Sequence, residues 1–121
     1  MEQMQLASDL NLVDSFNKEN SVAHLLVRES NVFCAKYHLQ EPGLVEHFIQ
    51  SASKAIESDF SINEIKDFSI SFLPKIGETL KTKVKIQTNP KGGTVVAAVT
   101  EIDGVVAAKC KLKVNLSNTN N

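Results

Sequence analysis

The residues of this chain best suited to acid–base chemistry are a glutamate, Glu46, and a histidine that precedes it, His38. Glu46 lies within an apolar run, and apolar surroundings favour the protonated form of a carboxyl group, which can then act as an acid. The alternative is a glutamate near the start of a helix that only complements the helix dipole. His38 stands alone in a connecting segment, where it is either a base or an ordinary surface side chain.

We expect the neighbouring histidine and the two cysteines to lie outside the acid–base chemistry. His47 follows Glu46 directly, and one residue corresponds to a rotation of about 100° around a helix. We therefore expect His47 to face a different surface, where it would meet a partner subunit. Cys34 and Cys110 show no CxxC spacing, which argues against a zinc site or a disulfide framework. No motif holds a histidine against Cys34, so we expect no nucleophilic role for it.

Composition excludes several functional classes. The chain has 121 residues, enough for one domain with a core and too few for two. Its formal net charge is -1, so it lacks the basic excess typical of proteins that bind nucleic acid or anionic membranes. No apolar run approaches the roughly 18 residues that span a bilayer, and the first ten residues lack the plan of a signal peptide. We expect a cytoplasmic protein.

Hydrophobic periodicity divides the first half of the chain into four elements. Helical spacing of apolar residues predicts a short helix over 6–16. Two runs rich in β-branched and aliphatic residues, 21–28 and 32–37, indicate strands. From 41 to 59 the apolar residues form one wide helical face, and Pro42 suits the first turn because its missing N–H would be unbonded there.

The second half alternates with a period of two, which is typical of antiparallel strands. The last two strands join at Asp103-Gly104, a strong tight-turn signal. Lysines occupy one face of the final strand, which we read as solvated; the weaker alternative is a docking surface for an acidic carrier protein. These patterns predict an α+β domain over 1–116, with one long helix on a curved antiparallel sheet, and a disordered tail over 117–121.

Three segments resemble a known family. The run EPGLVEHFIQ at 41–50 resembles the start of the central helix in hotdog-fold 3-hydroxyacyl-acyl-carrier-protein dehydratases, in which a Pro-Gly turn precedes a Glu-x-x-x-Gln pair. Here Glu46 and Gln50 keep that pair. The runs FSISFLPKIGETL at 68–80 and IDGVVA at 102–107 are similar to later strands and turns of the family. The resemblance covers about 21–116 and implies a hotdog fold.

One departure separates the chain from those dehydratases. The family carries a His-Phe-Pro-Gly segment before the Pro-Gly turn, and its histidine is the catalytic base. This chain has CAKYHLQ at 34–40 instead, so His38 is near that place but outside the motif. The chain looks closest to a divergent branch of small dehydratase-like hotdog proteins from acyl-chain and aryl-polyene-type pathways.

The resemblance implies elimination of water from a 3-hydroxyacyl thioester. Glu46 would be the acid, His38 or a partner-chain histidine the base, and Gly43 a backbone donor to the thioester carbonyl. Gly43 is otherwise needed only for a tight turn into the helix. Gln50 would orient Glu46, or is simply a polar helix residue. Two aromatic residues are candidates for walls of an acyl tunnel, although most such residues belong to cores: Phe33 and Tyr37.

Partners and alternatives follow from the same resemblance. The substrate would be a thioester of acyl carrier protein or coenzyme A, and the protein would be a homodimer or a hotdog heterodimer with sites between subunits. No metal or organic cofactor is implied. The alternatives are an inactive accessory subunit that pairs with another hotdog chain, and a hotdog thioesterase in which Glu46 activates water.

Overall fold

One helix and an antiparallel sheet make up the part of the chain that the computed structural model describes, residues 10–90 and 92–116. The helix is α1 (Glu41–Ile56). The strands are β1 (Ser15–Asn17), β2 (Val22–Leu26), β3 (Cys34–Ala35), β4 (His38–Leu39), β5 (Phe60–Ile70), β6 (Thr79–Thr88), β7 (Thr94–Ile102) and β8 (Val105–Leu116). Six strands form one sheet in the order β1-β2-β6-β7-β8-β5, and β3 pairs with β4. The predicted α+β plan is confirmed.

Helix α1 begins and ends where local chemistry requires. Pro42 lies in its first turn, and Glu57 ends it in the left-handed conformation with φ 65°, its N–H donating to the carbonyl of Ser53. The helix is therefore shorter than the predicted 41–59, because the chain must turn before β5 starts at Phe60. No helix among the described residues is long and apolar enough to cross a membrane.

The central strands bury one face and expose the other. In β6, Leu80, Thr82 and Val84 are buried, while the lysines between them are exposed. Strands β7 and β8 continue this alternation, and β8 shifts register once, between Thr100 and Glu101 of its partner. The buried face packs against α1, chiefly around Leu44 and Phe48, to form the core. This arrangement fixes the helix at one orientation over the sheet.

The prediction of a helix over 6–16 is wrong in its described part. Residues 6–9 lie outside the described residues, and 10–14 run as an extended segment, which we call the strap, before β1. Leu12 of the strap has no exposed surface and belongs to the core. Its backbone finds hydrogen-bond partners on α1 instead of within a helix of its own. The predicted disordered tail, 117–121, also lies outside the described residues.

The strand predicted over 32–37 is replaced by a tight hairpin. Cys34 pairs with Leu39 and Ala35 pairs with His38, which leaves Lys36 and Tyr37 as a two-residue turn. Both turn residues have positive φ, 52° and 70°. Such turns normally carry Asn or Gly, and neither is present, so no local signal predicted this hairpin.

Candidate functional site

Glu46 lies on a part of α1 that the sheet leaves open. The buried arc of the helix consists of Gly43, Leu44, His47, Phe48, Ser51 and Ala52. Glu46 projects from the opposite side, half-buried, next to the half-buried Ile49, with Val45 one turn before Ile49. It forms no hydrogen bond or ion pair with any described residue. We call Val45, Glu46 and Ile49 the open strip, a carboxylate beside two aliphatic side chains.

Gln50 was expected to orient Glu46, but the hydrogen bonds of its side chain go to the strap. Its Oε1 accepts the N–H of Leu12 at 2.8 Å, and its Nε2 donates to the carbonyl of Leu10 at 3.1 Å. Both polar ends of the amide are therefore used by the strap backbone. The role of Gln50 in this chain is to position that segment along the helix.

His47 is buried, contrary to the expectation that it would meet a partner subunit. It has no exposed surface; its Nδ1 lies 2.6 Å from the carbonyl of Leu12 and its Nε2 lies 2.6 Å from Oγ1 of Thr82. Oγ1 of Thr82 is in turn 2.5 Å from Oγ1 of Thr100 on the neighbouring strand. Burial lowers the pKa of His47 to about 4, against the weaker opposing effects of the Leu12 carbonyl and of Asp14.

The polarity of these contacts determines where the protons lie. A carbonyl oxygen only accepts, so Nδ1 of His47 carries the proton and donates to Leu12. Because the neutral ring has one N–H, Nε2 accepts from the hydroxyl of Thr82, which accepts from that of Thr100. The chain of hydrogen bonds ties strap, helix and sheet together. The sequence contains one clue to this chain of hydrogen bonds. Thr82 and Thr100 occupy inward positions on strand faces that are mostly aliphatic.

His38 lies in β4, just before α1. Its Nδ1 donates to the carbonyl of Lys36 at 2.9 Å, which leaves Nε2 unprotonated in the neutral ring. The side chain of Gln40, the N-cap residue, donates to the carbonyls of Ala35 and His38 and so fixes the hairpin to the helix start. No hydrogen bond joins His38 to Glu46 within the described chain. The structure thus orients this histidine as an acceptor without pairing it with the glutamate.

An open cleft of about 390 Å³ lies beside the hairpin. It is lined by Glu29, Cys34, Ala35, Lys36, Tyr37 and Ile76, and does not include Glu46. Tyr37 is 80% exposed at the hairpin turn, so within one chain it is not the wall of a closed tunnel. Burial raises the pKa of the Cys34 thiol, which disfavours the thiolate.

Gly43 and Phe33 are brought together by close packing. The N–H of Gly43 donates to the carbonyl of Gln40 at 2.9 Å, so in this structure it is engaged rather than free to bind a substrate carbonyl. A Cβ at Gly43 would lie 2.6 Å from Cδ1 of Leu39 and 2.7 Å from Cβ of Phe33. This geometry supports the packing role of the glycine, and it places Phe33 against the core beneath the helix start.

We expect the substitution Gly43→Ala to destabilise the protein by about 2 kcal/mol, because the new methyl group overlaps Phe33 Cβ, an atom fixed to the backbone. Urea unfolding would measure the loss. Ser53→Ala, an exposed change on the same helix, is the matched control and should alter stability by less than about 0.5 kcal/mol. A Gly43→Ala protein as stable as the wild type would contradict the packing account.

Among residues 10–90 and 92–116, no group of three or more His, Cys, Asp or Glu side chains is placed to hold a metal ion.

Of the residues predicted to form the site, the structure brings Phe33 and Gly43 together and directs the side chain of Gln50 to the strap. It leaves Glu46 on the open strip and His38 and Tyr37 on the hairpin. The part of a single chain that the structure describes does not close a pocket around Glu46.

Comparison with known proteins identifies the fold. No protein-family description matches the sequence. No curated protein matches it either. Solved structures do match in shape: a sigma28-regulated virulence protein from Campylobacter jejuni has a TM-score of 0.73 at 13% identity, over 93% of this chain and 87% of that one. A Streptococcus mutans UA159 protein bound to acetyl-CoA has a TM-score of 0.71 at 13% identity, over 90% of both chains.

A third structure is a hexameric broad-specificity acyl-coenzyme A thioesterase, with a TM-score of 0.65 at 5% identity, over 80% of this chain and 78% of that one. At such low identity these similarities establish the fold and not the activity. The chain has the hotdog fold, as the resemblance at 41–50 implied. The narrower expectation was membership of the dehydratases within that fold. It has no such support, because the one structure of these three that is named as an enzyme is a thioesterase.

Proposed function

We propose that the protein binds acyl thioesters and hydrolyses them, with the carboxylate of Glu46 activating the attacking water. The observation that carries the proposal is the open strip: Glu46 makes no ion pair with any described residue and lies beside Val45 and Ile49, whose aliphatic surfaces suit an acyl chain. The similarity in fold to an acyl-coenzyme A thioesterase and to a protein that binds acetyl-CoA supports this substrate class.

The proposed reaction needs one carboxylate and one water molecule. The ionised Glu46 takes a proton from water as the water oxygen attacks the thioester carbonyl carbon. The C–S bond then breaks, and the proton passes to the departing thiolate, which gives a free acid and a free thiol. The positive end of the α1 dipole, at the start of the helix that carries Glu46, would stabilise the oxyanion that forms in between.

The complete pocket, in this proposal, lies between two copies of the chain. The described residues of a single copy leave the open strip uncovered, and the hairpin cleft does not reach Glu46. A second copy, or another hotdog chain, would close the strip, as the resemblance to the dehydratases implies. The carrier of the acyl group is coenzyme A or an acyl carrier protein.

Substitution of Glu46 tests the proposal. We expect the wild-type protein to release thiol from acyl-CoA, followed with a thiol-reactive dye, and Glu46→Gln to lower kcat/KM at least 100-fold, a typical effect of removing a general base (about 10²- to 10⁴-fold). Glu41→Gln, an exposed glutamate in the first turn of the same helix, is the matched control and should keep near wild-type activity. No thiol release by folded protein, or equal loss in both variants, would overturn the proposal.

Dehydration of 3-hydroxyacyl thioesters is the second candidate function, favoured by the orientation of His38. Its Nδ1–H is held by the Lys36 carbonyl, so Nε2 is available to take an α-proton. This reaction interconverts enoyl and 3-hydroxyacyl thioesters without releasing thiol. Hydration of a 2-enoyl thioester, seen as loss of enoyl absorbance and abolished in His38→Gln, would select it over hydrolysis. If the folded protein showed neither hydrolysis nor hydration, the result would indicate an accessory subunit. Addition of a second hotdog chain should then restore catalysis.

A further inference from the structure

The outer face of the sheet, on the side away from α1, carries two parallel rows of lysines. One row is Lys81, Lys83 and Lys85 of β6, and the other is Lys109, Lys111 and Lys113 of β8. All six side chains are exposed, and their neighbours along each strand are mostly buried. The chain as a whole has a net charge of -1, so positive charge is concentrated on this face at the expense of the rest of the surface.

An apolar stripe separates the two lysine rows. It consists of Val95, Ala97 and Val99 of β7, all half-buried. The strand register places Val99 directly between Lys83 and Lys109, and Ala97 directly between Lys85 and Lys111. The rows are therefore two strand spacings apart, roughly 10 Å. Along each row, successive lysines are about 7 Å apart, because same-face residues alternate.

Half of these lysines have no counter-ion among residues 10–90 and 92–116. Lys83 pairs with Glu101 at 3.5 Å, Lys111 with Asp67 at 3.8 Å and Lys113 with Glu64 at 3.7 Å. These pairs are solvent-exposed, and such pairs contribute little and exchange readily. The other three lysines, Lys81, Lys85 and Lys109, have no carboxylate within ion-pair distance among the described residues. Cations without a counter-ion in the described part of the chain thus lie on both sides of the stripe.

We propose that this outer face docks an acidic amphipathic helix of a partner protein. A helix with its side chains is about 10–12 Å across, which matches the separation of the lysine rows. Carboxylates four residues apart on a helix lie about 6 Å apart along the axis, close to the lysine spacing. The apolar side of the helix rests on Val95, Ala97 and Val99, and its acidic flanks meet the two rows.

The same face is poorly suited to nucleic acid. Strands β6, β7 and β8 contain no aromatic residue on which a base could stack. A phosphate backbone lying along this face would also meet the apolar stripe of Val95, Ala97 and Val99, whose side chains offer it no hydrogen-bond donor. An acidic protein helix, in contrast, places its charges only on the two flanks. Because this face lies opposite α1 and Glu46, the proposal is independent of thioester hydrolysis.

A designed probe tests the geometry as well as the charge. It is a labelled synthetic peptide of about five helical turns, with Glu at i, i+4 positions on both flanks of a Leu/Ala stripe, and its binding is followed by fluorescence anisotropy at low salt. We expect it to bind at least about tenfold more tightly than a scrambled peptide of the same composition. Ala97→Glu, which puts a like charge into the stripe, should weaken binding by a similar factor.

Matched charge reversals complete the experiment. Lys85→Glu combined with Lys109→Glu, one residue from each row, should weaken binding at least about tenfold, whereas Lys54→Glu on α1 should not change it. Circular dichroism melting would verify that each variant is folded. Equal binding of the scrambled peptide, equal loss in Lys54→Glu, unchanged binding in the double variant, or tighter binding of single-stranded RNA to the same lysines would overturn the proposal.

Discussion

The free energy of unfolding should fall by about 3 kcal/mol as the pH is lowered from 6.5 to 4, because of one buried histidine, His47. In the folded protein burial holds its pKa at about 4, whereas in the unfolded chain it returns to its ordinary value of 6.5. Between these values the unfolded state binds a proton that the folded state does not, so stability decreases as the pH falls. Above pH 6.5 both states are neutral, and this contribution is fully present.

The substitution His47→Gln isolates the effect. A glutamine amide can donate to the Leu12 carbonyl and accept from Thr82, as the neutral ring does, but it does not titrate. Urea unfolding from pH 4 to 7.5 should therefore show a shallower pH dependence for His47→Gln than for the wild type. His24→Gln, in strand β2, is the matched control for loss of a histidine side chain that is not fully buried. An unchanged slope in His47→Gln would contradict the assignment to this histidine.

Truncation of the strap residue Leu12 should cost about 3 kcal/mol of stability, within the range found for fully buried leucines. Leu12 has no exposed surface and fills the core beside α1, so Leu12→Ala leaves a cavity that its neighbours cannot easily close. The backbone bonds to Gln50 and His47 hold the strap in place and limit its collapse into that cavity. Urea denaturation at neutral pH would measure the change.

A leucine two residues earlier provides the control. Leu10 lies in the same segment but is 49% exposed, so Leu10→Ala should alter stability by less than about 0.5 kcal/mol. The difference between the two variants reports burial rather than the chemistry of the substitution. If both variants were equally stable, the strap would not be part of the folded core in solution. Hydrogen exchange at the Leu12 amide would then be fast.

The local hydrophobic pattern predicted those helices and strands in which buried residues recur at one regular spacing. Residues from Leu44 to Ile56 repeat at helical spacing, and Pro42 marks the first turn, so α1 was predicted within three residues of its end. Strands β6 and β8 alternate lysines with inward side chains, which predicted these strands and the exposed face of β8. The short range of these signals is the reason that they can be read without coordinates.

Other parts of the fold rest on contacts between residues far apart in sequence. The strap was predicted as a helix because its apolar spacing fits a helix, but Leu12 is bonded to Gln50 and His47, which lie 38 and 35 residues away. The expectation that His47 meets a partner subunit was also wrong, since a neutral imidazole with two hydrogen-bond partners can be buried. The hairpin at Lys36 and Tyr37 lacked the usual turn residues and gave no local signal.

The sequence by itself determined the α+β plan, the position of Glu46 near the start of one long helix, and the lysine-bearing face of the sheet. These depend on hydrophobic period and turn chemistry, which act over a few residues. The tertiary structure alone decided that Gln50 and His47 serve the strap, that Gly43 packs on Phe33, and that Glu46 stays on the open strip. Those outcomes depend on how α1 is rotated over the sheet, and the rotation follows from packing of the whole core rather than from any local run of residues.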